Sequence, residues 1–397
     1  MKLLYISTFM FDEINGCTYG LPSCGDSFFG KYLDVFESVR VLGENVKDYL
    51  DKSKLVKIRD RRISVRILPR NTSPKDFRND KVLREALISE IAAADAIIIK
   101  PATRRGMMAI KIAEKLKKPY MIEMTGDIHN ALKQHPSRIR RLYAPILYRN
   151  IKQTIKNCKF GLYVSQDYLQ SKYPIVGKMC GCADVVLEKS DDSVLTKRLE
   201  KIDKMQDGNI INCALIGFYQ GNGKGVDTAI RAMSRLPEKF HLSVLGNGTE
   251  ESRQKWIKYG EEYGVSESRI HFPTPLSSIH DVFLWLDKYD FFLLPSRSEG
   301  LGRCIVEAMS RGCPSFATNI CTIPELLPEE CLFELDDDKR LATLLLKYSK
   351  DKELMKRIAK MNFEHAKDYD VDILKHRRDT FLNEFKEYCI NVIGRNK

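Results

Sequence analysis

Short apolar runs alternate with stretches of helical periodicity along most of the 397-residue chain. Each run has the length and composition of a buried strand, and the stretches between them repeat apolar positions at helical spacing. The predicted strands are 3–7, 39–42, 61–68, 94–100, 120–124, 160–165, 185–187, 210–216, 241–245, 270–272, 291–294 and a segment from Pro314. The predicted helices between them are 28–36, 107–117, 228–233, 281–286 and 303–310. This alternation predicts an α/β protein with parallel sheets.

The length of the chain favours two domains over one hydrophobic core. Composition turns polar and charged between residues 188 and 208, which predicts a linker there. We therefore predict an N-terminal domain over residues 1–190 and a second domain over residues 208–371. The last helices are predicted at 339–349, at 352–367 and from 372 to about 392, within the terminal segment 372–397.

The stretch from residue 291 to residue 310 combines a predicted strand, a glycine-bearing turn and a predicted helix. Such a turn leaves backbone N–H groups at a helix N-terminus, where those donors and the helix dipole stabilise a phosphate. Two carboxylates, Glu299 and Glu307, bracket this turn and can face one ligand. The predicted phosphate contacts on the turn are Gly300, Leu301, Gly302 and Arg303.

A second glycine-rich loop, GFYQGNGKGVD, occupies residues 217–227 between a predicted strand and a predicted helix. Its backbone N–H groups and the ammonium of Lys224 can hold a diphosphate, with Gly217 at the strand end. The next predicted strand ends in another glycine turn, at Gly246. The alternative is a flexible connection with a solvated lysine.

The segment PSRSEGLGRCIVEAMSRGCP, at residues 295–314, resembles the donor-site signature of retaining glycosyltransferases of family 4. The glycine turns at 217 and 246 resemble those of the same family. The sequence of residues 18–46 is similar to the N-terminal sequence of its polysaccharide-assembly members. The resemblance implies a GT-B fold, in which two Rossmann-like domains face each other across a cleft and a terminal helix crosses back to the first domain. It also implies that the domain 1–190 binds the acceptor, that the domain 208–371 binds the nucleotide-sugar donor, and that the helix in 372–397 packs on the first domain. No metal and no cofactor is expected.

The resemblance further implies the role of each residue. A retaining hexosyltransferase of this kind takes its sugar from a UDP- or GDP-linked donor and transfers it to a glycan or lipid-linked glycan. Lys224 and the turn amides then neutralise the diphosphate, Glu307 accepts hydrogen bonds from the ribose, and Glu299 holds the transferred sugar. Phe218 stands where relatives usually carry an arginine, although Arg303 can substitute for that cation. The alternative is a catalytically inactive scaffold subunit that binds sugar nucleotides in a glycan-assembly complex.

Two further candidates follow the predicted strand 120–124. Asp127 and His129 lie at its carboxyl end, where α/β proteins place their chemistry, so both are catalytic candidates. The alternative is that Asp127 caps the next helix and His129 lines it. Gly20, in the predicted loop after the first strand, is a further candidate for close approach of the donor.

The net charge of +12 points to an anionic partner. The sequence contains no nucleic-acid-binding motif, so a membrane surface and a sugar nucleotide fit the charge better. Residues 137–159 combine apolar positions at helical spacing with a dense basic face. This segment could bind anionic lipid headgroups. The alternative is a helix that packs in the core and exposes its basic face to solvent.

Compartment and metal content are predicted from the remaining patterns. No run approaches about 18 apolar residues, which argues against a transmembrane helix. The first apolar run is better explained as a strand than as a signal peptide, because Asp12 and Glu13 interrupt it. Eleven scattered cysteines suit the reducing cytoplasm, and they lack the spacing of a zinc site. We expect a cytoplasmic protein, with peripheral attachment to the inner face of the membrane left open.

Overall fold

The computed structural model describes residues 1–46, 52, 55–70, 74–185, 187, 189, 191–276 and 278–395. The chain forms two compact units. The first contains Met1–Ile128, Pro145–Cys182 and the chain from Lys375 onward, and the second contains His129–Ala144 and Ala183–Leu374.

A sheet of nine described strands forms the core of the first unit. These strands are β1 (Lys2–Ile14), β2 (Cys17–Gly20), β3 (Ser38–Asn45), β4 (Val56–Lys57), β5 (Ile63–Leu68), β6 (Ala96–Ile99), β7 (Tyr120–Met124), β8 (Phe160–Tyr163) and β9 (Lys178–Gly181). The parallel strands run in the order β5-β3-β1-β6-β7-β8-β9. The far end of β1 pairs antiparallel with β2, which in turn pairs with β4.

The second unit contains a parallel sheet of six described strands. They are β10 (Ile211–Ile216), β11 (Phe240–Leu245), β12 (Ile270–His271), β13 (Phe291–Leu294), β14 (Ser315–Thr318) and β15 (Leu332–Phe333), in the order β12-β11-β10-β13-β14-β15. Every residue of β13 and β14 is buried, as expected for central strands covered on both faces. The predicted α/β class with parallel sheets is confirmed.

Fourteen α-helices lie in the described residues. They are α1 (Asp26–Leu33), α2 (Asp80–Ala93), α3 (Arg104–Lys115), α4 (Ile128–Lys133), α5 (Arg138–Ile155), α6 (Tyr168–Lys172), α7 (Asp192–Asp203), α8 (Val226–Ser234), α9 (Glu250–Glu262), α10 (Ile279–Asp287), α11 (Arg303–Ser310), α12 (Asp338–Ser349), α13 (Lys352–Ala366) and α14 (Val371–Arg395). Among the described residues, no helix is long and apolar enough to span a membrane.

The terminal helix α14 packs within the first unit. Phe160 of β8 contacts the rings of Phe381, Phe385 and Tyr388, with ring centres 5.6, 5.6 and 5.3 Å away. The ammonium of Lys386 donates a hydrogen bond to the carbonyl of Val35 over 2.9 Å. These contacts bury one face of α14 against the first sheet.

The structure differs from the sequence prediction in three segments. The predicted loop after the first strand is a hairpin between β1 and β2, because Asn15 and Gly16 adopt φ values of 50° and 70° and form the turn. The predicted linker contains α7, which belongs to the second unit. Arg198 on α7 is buried and donates hydrogen bonds to three carbonyls of that unit. The predicted strand at 185–187 is absent at residues 185 and 187, while residue 186 lies outside the described residues.

Candidate functional site

The second sheet places two loops at its topological switch point. The chain runs from β10 outward to β11 and β12, then returns to place β13 on the other side of β10. The loop 217–225 follows β10 and the loop 295–302 follows β13, and these two strands are parallel neighbours. Ligands of doubly wound sheets bind at the carboxyl ends of the strands at such a point.

Lys224 and Glu299 meet across these two loops. The Nζ atom of Lys224 lies 2.6 Å from Oε1 of Glu299, with 26% and 8% of the two side chains exposed. Burial acts to lower the pKa of Lys224, but the Cys304 thiol and the Glu299 carboxylate outweigh burial and raise that pKa. Lys224 is therefore a cation that its loop holds in place. Among the described residues, no hydrogen bond to the other oxygen of Glu299 is found.

Two glycines make room for Lys224. A Cβ atom on Gly217 would lie 2.5 Å from Cγ of Lys224, so only a glycine lets the lysine stem cross the end of β10. A Cβ atom on Gly246 would lie 2.0 Å from the carbonyl oxygen of Gly217, so the turn after β11 closes directly on that glycine. Both glycines thus serve the placement of Lys224.

The N-terminus of α11 forms the other side of this site. Gly302 precedes the helix with a φ of 80°, a left-handed conformation that suits glycine. The hydroxyl of Thr322 donates to the carbonyl of Gly300 over 2.8 Å and fixes the turn. Leu301 is buried and anchors it, whereas Arg303 is exposed at the start of the helix. The first N–H groups of α11 have no acceptor within the helix, so they can bind an anion.

Glu307 lies one turn further along α11 and is half-buried. Burial raises the pKa of Glu307 above the ordinary value of a glutamate, against the charges of Arg303 and Lys224, which act to lower it. Within the described parts of the chain, Glu307 has no ion-pair partner, so its carboxylate remains available to a ligand.

Arg297 joins the two loops, and the sequence analysis missed it. Its backbone N–H donates to the carbonyl of Gly223 over 2.9 Å, and its guanidinium donates to the carbonyl of Asn222 over 2.7 Å. The same guanidinium forms a bidentate pair with Asp227, at 3.0 and 2.9 Å. The sequence shows an arginine inside the recognised segment, but nothing in it indicates that the side chain reaches the other loop. Arg297 is thus a positioning residue for the loop that carries Lys224.

The remaining candidates lie outside these two loops. Asp127, in the first unit, accepts hydrogen bonds from the hydroxyls of Tyr168 and Tyr173, both over 2.7 Å, and from Lys172 over 2.5 Å. Burial acts to raise the pKa of Asp127, but these bonds outweigh it and lower that pKa. The carboxylate therefore ties β7 to α6. His129 lies on α4, in the part of the chain that packs with the second unit.

Gly20 serves packing in the structure. It is the last residue of β2, and a Cβ atom there would lie 2.9 Å from the ring of Phe11. The missing side chain leaves room for this ring. Approach of the donor to Gly20 stays a prediction.

The second unit therefore brings together Lys224, Glu299, Glu307 and the N-terminus of α11. This set can neutralise a diphosphate and can accept hydrogen bonds from sugar hydroxyls. Among the residues that the structure describes, no group of three or more histidine, cysteine, aspartate or glutamate side chains could hold a metal ion.

Comparison with known proteins identifies the class to which this site belongs. Residues 211–351 match the model of the family described as glycosyl transferases group 1. The matched residues include both loops of the site. The fold of the whole chain is that of GT-B glycosyltransferases.

Several known proteins are similar to the chain, and three of them illustrate the range. Protein CapJ from Staphylococcus aureus is 26% identical over 98% of this chain and 96% of its own length. Lipopolysaccharide glucosyltransferase WaaG from Escherichia coli K12 is 32% identical over 25% of each chain. A WaaG crystal structure covers 95% of this chain and 98% of its own, at a TM-score of 0.61 and 16% identity. The crystal structure of HepE from Anabaena, in complex with UDP-glucose, covers 97% of this chain and 100% of its own. Its TM-score is 0.65 and its sequence identity is 14%.

Proposed function

We propose that the protein is a retaining, metal-independent glycosyltransferase of family 4 that moves a sugar from a nucleotide diphosphate to a glycan hydroxyl. The observation that carries this proposal is the Lys224–Glu299 pair beside the N-terminus of α11. HepE, which has the same fold, binds UDP-glucose, and this supports a UDP-linked donor. Retention and family 4 membership rest on the resemblance of residues 295–314.

The chemistry depends on charge that develops as the leaving group departs. The anomeric carbon becomes positive while the nucleotide diphosphate takes up negative charge, so fixed positive groups beside the diphosphate lower the barrier. Lys224 supplies an ammonium, α11 supplies backbone N–H groups, and Arg303 offers a second cation. In this proposal Glu307 accepts hydrogen bonds from the ribose, and the second oxygen of Glu299 accepts from the transferred sugar.

Release of nucleotide diphosphate tests this proposal. The protein is first screened against UDP- and GDP-sugars for thermal stabilisation, because a ligand that binds only the folded state raises its stability. The stabilising donor is then incubated with acceptor glycans, and release of nucleotide diphosphate is measured. Release that depends on acceptor supports the enzyme. Donor binding without release in any combination would identify an inactive sugar-nucleotide-binding scaffold, for which the exposed Phe218 in place of an arginine is the supporting observation.

The biological setting proposed here is surface polysaccharide synthesis. WaaG is named for lipopolysaccharide synthesis, and another relative, 28% identical over 31% of this chain, is named for O-antigen biosynthesis. We accordingly expect the acceptor to be a growing glycan or a lipid-linked glycan at the inner face of the membrane.

Glu307→Gln is expected to lower affinity for the nucleotide diphosphate by about tenfold or more. The amide keeps the shape but loses a charged acceptor, which is worth about 1.5–3 kcal/mol per hydrogen bond, and about 1.4 kcal/mol is a factor of ten. Titration calorimetry measures this change. Unchanged affinity in a folded variant would exclude the ribose role.

The pH dependence of binding provides an internal control on Glu307. Because burial raises the pKa of Glu307, its carboxylate takes up a proton at a higher pH than an ordinary glutamate. Protonation removes the charged acceptor, so affinity falls as the pH falls through this raised pKa. Glu307→Gln should abolish that dependence. An equal dependence in the variant would assign the titration to another group.

Helix α5 supports attachment to the membrane surface. Its first half exposes an apolar stripe, with exposed fractions of 79% for Ile139, 76% for Leu142 and 55% for Ile146, whereas Ile151 and Ile155 are buried. The sequence contains no acidic residue between Asp127 and Asp167, and Arg138, Arg140 and Arg141 flank the stripe. The second half of the helix fits the core-helix alternative, and the first half supports the lipid alternative, which stays a prediction. An exposed apolar stripe with basic flanks suits an anionic lipid surface.

Leu142→Asp is expected to weaken binding to phosphatidylglycerol vesicles by about tenfold or more, because burial of a leucine contributes about 1.5–3 kcal/mol. Co-sedimentation with vesicles measures the loss, and the parent protein should bind less at high salt. Val176→Asp is the matched control, because Val176 is 66% exposed and lies on neither α5 nor α6. Equal losses in both variants would reflect the added charge and would contradict docking through α5.

A further inference from the structure

The first sheet has its own topological switch point, which the proposed donor site does not use. From β1 the chain moves outward to β3 and β5, then returns to place β6 on the other side of β1. The carboxyl ends of β1 and β6 thus correspond to those of β10 and β13 in the second unit. By the same topological rule, a ligand crevice is expected where β1 and β6 end.

Two aromatic rings and two lysines occupy that place. The register of β1 shifts between Ile6 and Met10, and this irregularity carries Phe9. Bulges of this kind re-aim side chains and are frequent beside binding sites. Lys100 directly follows β6, and its Nζ atom lies 4.4 Å from the centre of the Phe9 ring. Helix α1 adds Phe28, whose ring centre lies 5.0 Å from that of Phe9.

The two lysines share one ring. The Nζ atom of Lys31 lies 4.0 Å from the centre of the Phe28 ring, and that of Lys100 lies 5.6 Å from the same centre. Both rings and both lysines are half-buried. Two like charges held on one partly buried ring repel each other, and an anion bound between them relieves that repulsion.

One of the two lysines faces a buried acid. Glu123 is buried and accepts hydrogen bonds from the hydroxyls of Tyr5 and Tyr32, and its carboxylate lies 3.9 Å from Lys31. Burial acts to raise the pKa of Glu123, but Lys31, Lys100 and the two hydroxyls outweigh it and lower that pKa. Within the described part of the chain Lys100 forms no ion pair, so its ammonium is available to an acidic ligand at the switch point.

We infer that Phe9, Phe28, Lys31 and Lys100 bind the acceptor, and that this acceptor is a sugar carrying an acidic group, either a phosphate or a carboxylate. The rings offer an apolar surface to the sugar, in the way that binding pockets combine aromatic walls with a few charged groups. The lysines bind the acidic group. This inference rests on the proposed function, because it names the class of acceptor for the same reaction.

The test compares matched ligands and matched variants. The probes are the methyl glycoside of one hexose, its 6-phosphate and the corresponding uronate, and binding is followed by ligand-observed NMR. The parent protein should bind at least one acidic probe about tenfold more tightly than the neutral glycoside, because the acidic group adds charge-assisted hydrogen bonds to the lysines. Lys100→Met and Lys31→Met should each remove most of that advantage, measured as the ratio of acidic to neutral affinity within the same variant. Lys111→Met, at an exposed position on α3, is the control for loss of one charge.

The 6-phosphate and the uronate probes distinguish the two kinds of acidic group. Preference for the 6-phosphate assigns a phosphorylated acceptor, and preference for the uronate assigns an acidic sugar. Equal binding of the acidic and neutral probes by the parent, or full acidic preference in both lysine variants, overturns the inference. If Lys100→Met fails to fold, Lys100→Arg keeps the charge and should keep the preference, whereas Lys31→Met still tests the loss. Binding of the nucleotide sugar is measured alongside, and its absence in the parent would instead count against the proposed function.

Discussion

Lys224→Ala is expected to lower turnover by about 100-fold or more, the scale seen when one key electrostatic donor is removed. Lys224 is paired with Glu299 at 2.6 Å, and its ammonium is the charge that faces the departing diphosphate in our proposal. Without it, the negative charge of the leaving group is compensated only by the amides of α11 and by Arg303. Initial rates with the donor identified by thermal screening measure the loss.

Three controls make the result for Lys224 specific. Nucleotide diphosphate should bind the variant more weakly, whereas the nucleoside should bind it as it binds the parent. Lys224→Arg should recover only part of the activity, because a planar guanidinium places its charge differently from an ammonium. Lys258→Ala, at an exposed position on α9, should change nothing. Equal losses for nucleotide and nucleoside would show that Lys224 supports the fold, and no loss for either would move the phosphate site elsewhere.

Glu299→Ala is expected to reduce turnover by about 100-fold while affinity for the nucleotide diphosphate does not fall. The carboxylate is needed to orient the transferred sugar, and a misplaced reacting centre costs about 100-fold in rate. It also neutralises Lys224, so its removal leaves the ammonium with more charge for the diphosphate. Steady-state rates and calorimetric titration of the same preparation measure the two effects.

Glu299→Gln and Glu250→Ala complete this comparison. The amide of Glu299→Gln still accepts one hydrogen bond from a sugar hydroxyl, so its turnover should lie between those of the parent and the alanine variant. Glu250 is an exposed carboxylate on α9 and should tolerate replacement. If Glu299→Ala lowered diphosphate affinity and turnover together, the carboxylate would act mainly by positioning Lys224, and its assignment to the sugar would be wrong.

Local signals predicted the donor-side elements well. Strand β13 and helix α11 have the predicted bounds, Phe291–Leu294 and Arg303–Ser310. The sequence marks both boundaries, because Pro295 ends the apolar run of the strand and Gly302 directly precedes the helix. The parallel class followed from the same alternation, because central strands covered on both faces are continuously apolar.

Long-range contacts account for what the sequence did not predict. Helix α7 lies in a segment whose composition resembles a linker, because its main anchor is the buried Arg198, which donates to carbonyls that follow it by about 90 residues or more. Arg297 crosses to Asp227 in the same way. Neither contact produces a periodic pattern in the sequence from which it could be predicted. The hairpin of β1 and β2, by contrast, had a local signal in Asn15-Gly16, since this dipeptide favours two-residue hairpin turns.

Helix α14 sets an order of events during synthesis of the chain. The first unit needs Phe381 and Phe385 to cover Phe160, yet these residues leave the ribosome long after the rest of that unit. At about 5–20 residues per second, the roughly 190 residues between Cys182 and Lys375 take about 10–40 s to translate. During that interval the ring of Phe160 and the neighbouring surface of the nascent sheet remain uncovered, so the first part to be made is the last to be completed. A chaperone that holds nascent chains should therefore bind ribosome-bound chains stalled shortly before residue 375 and release those extended past residue 395.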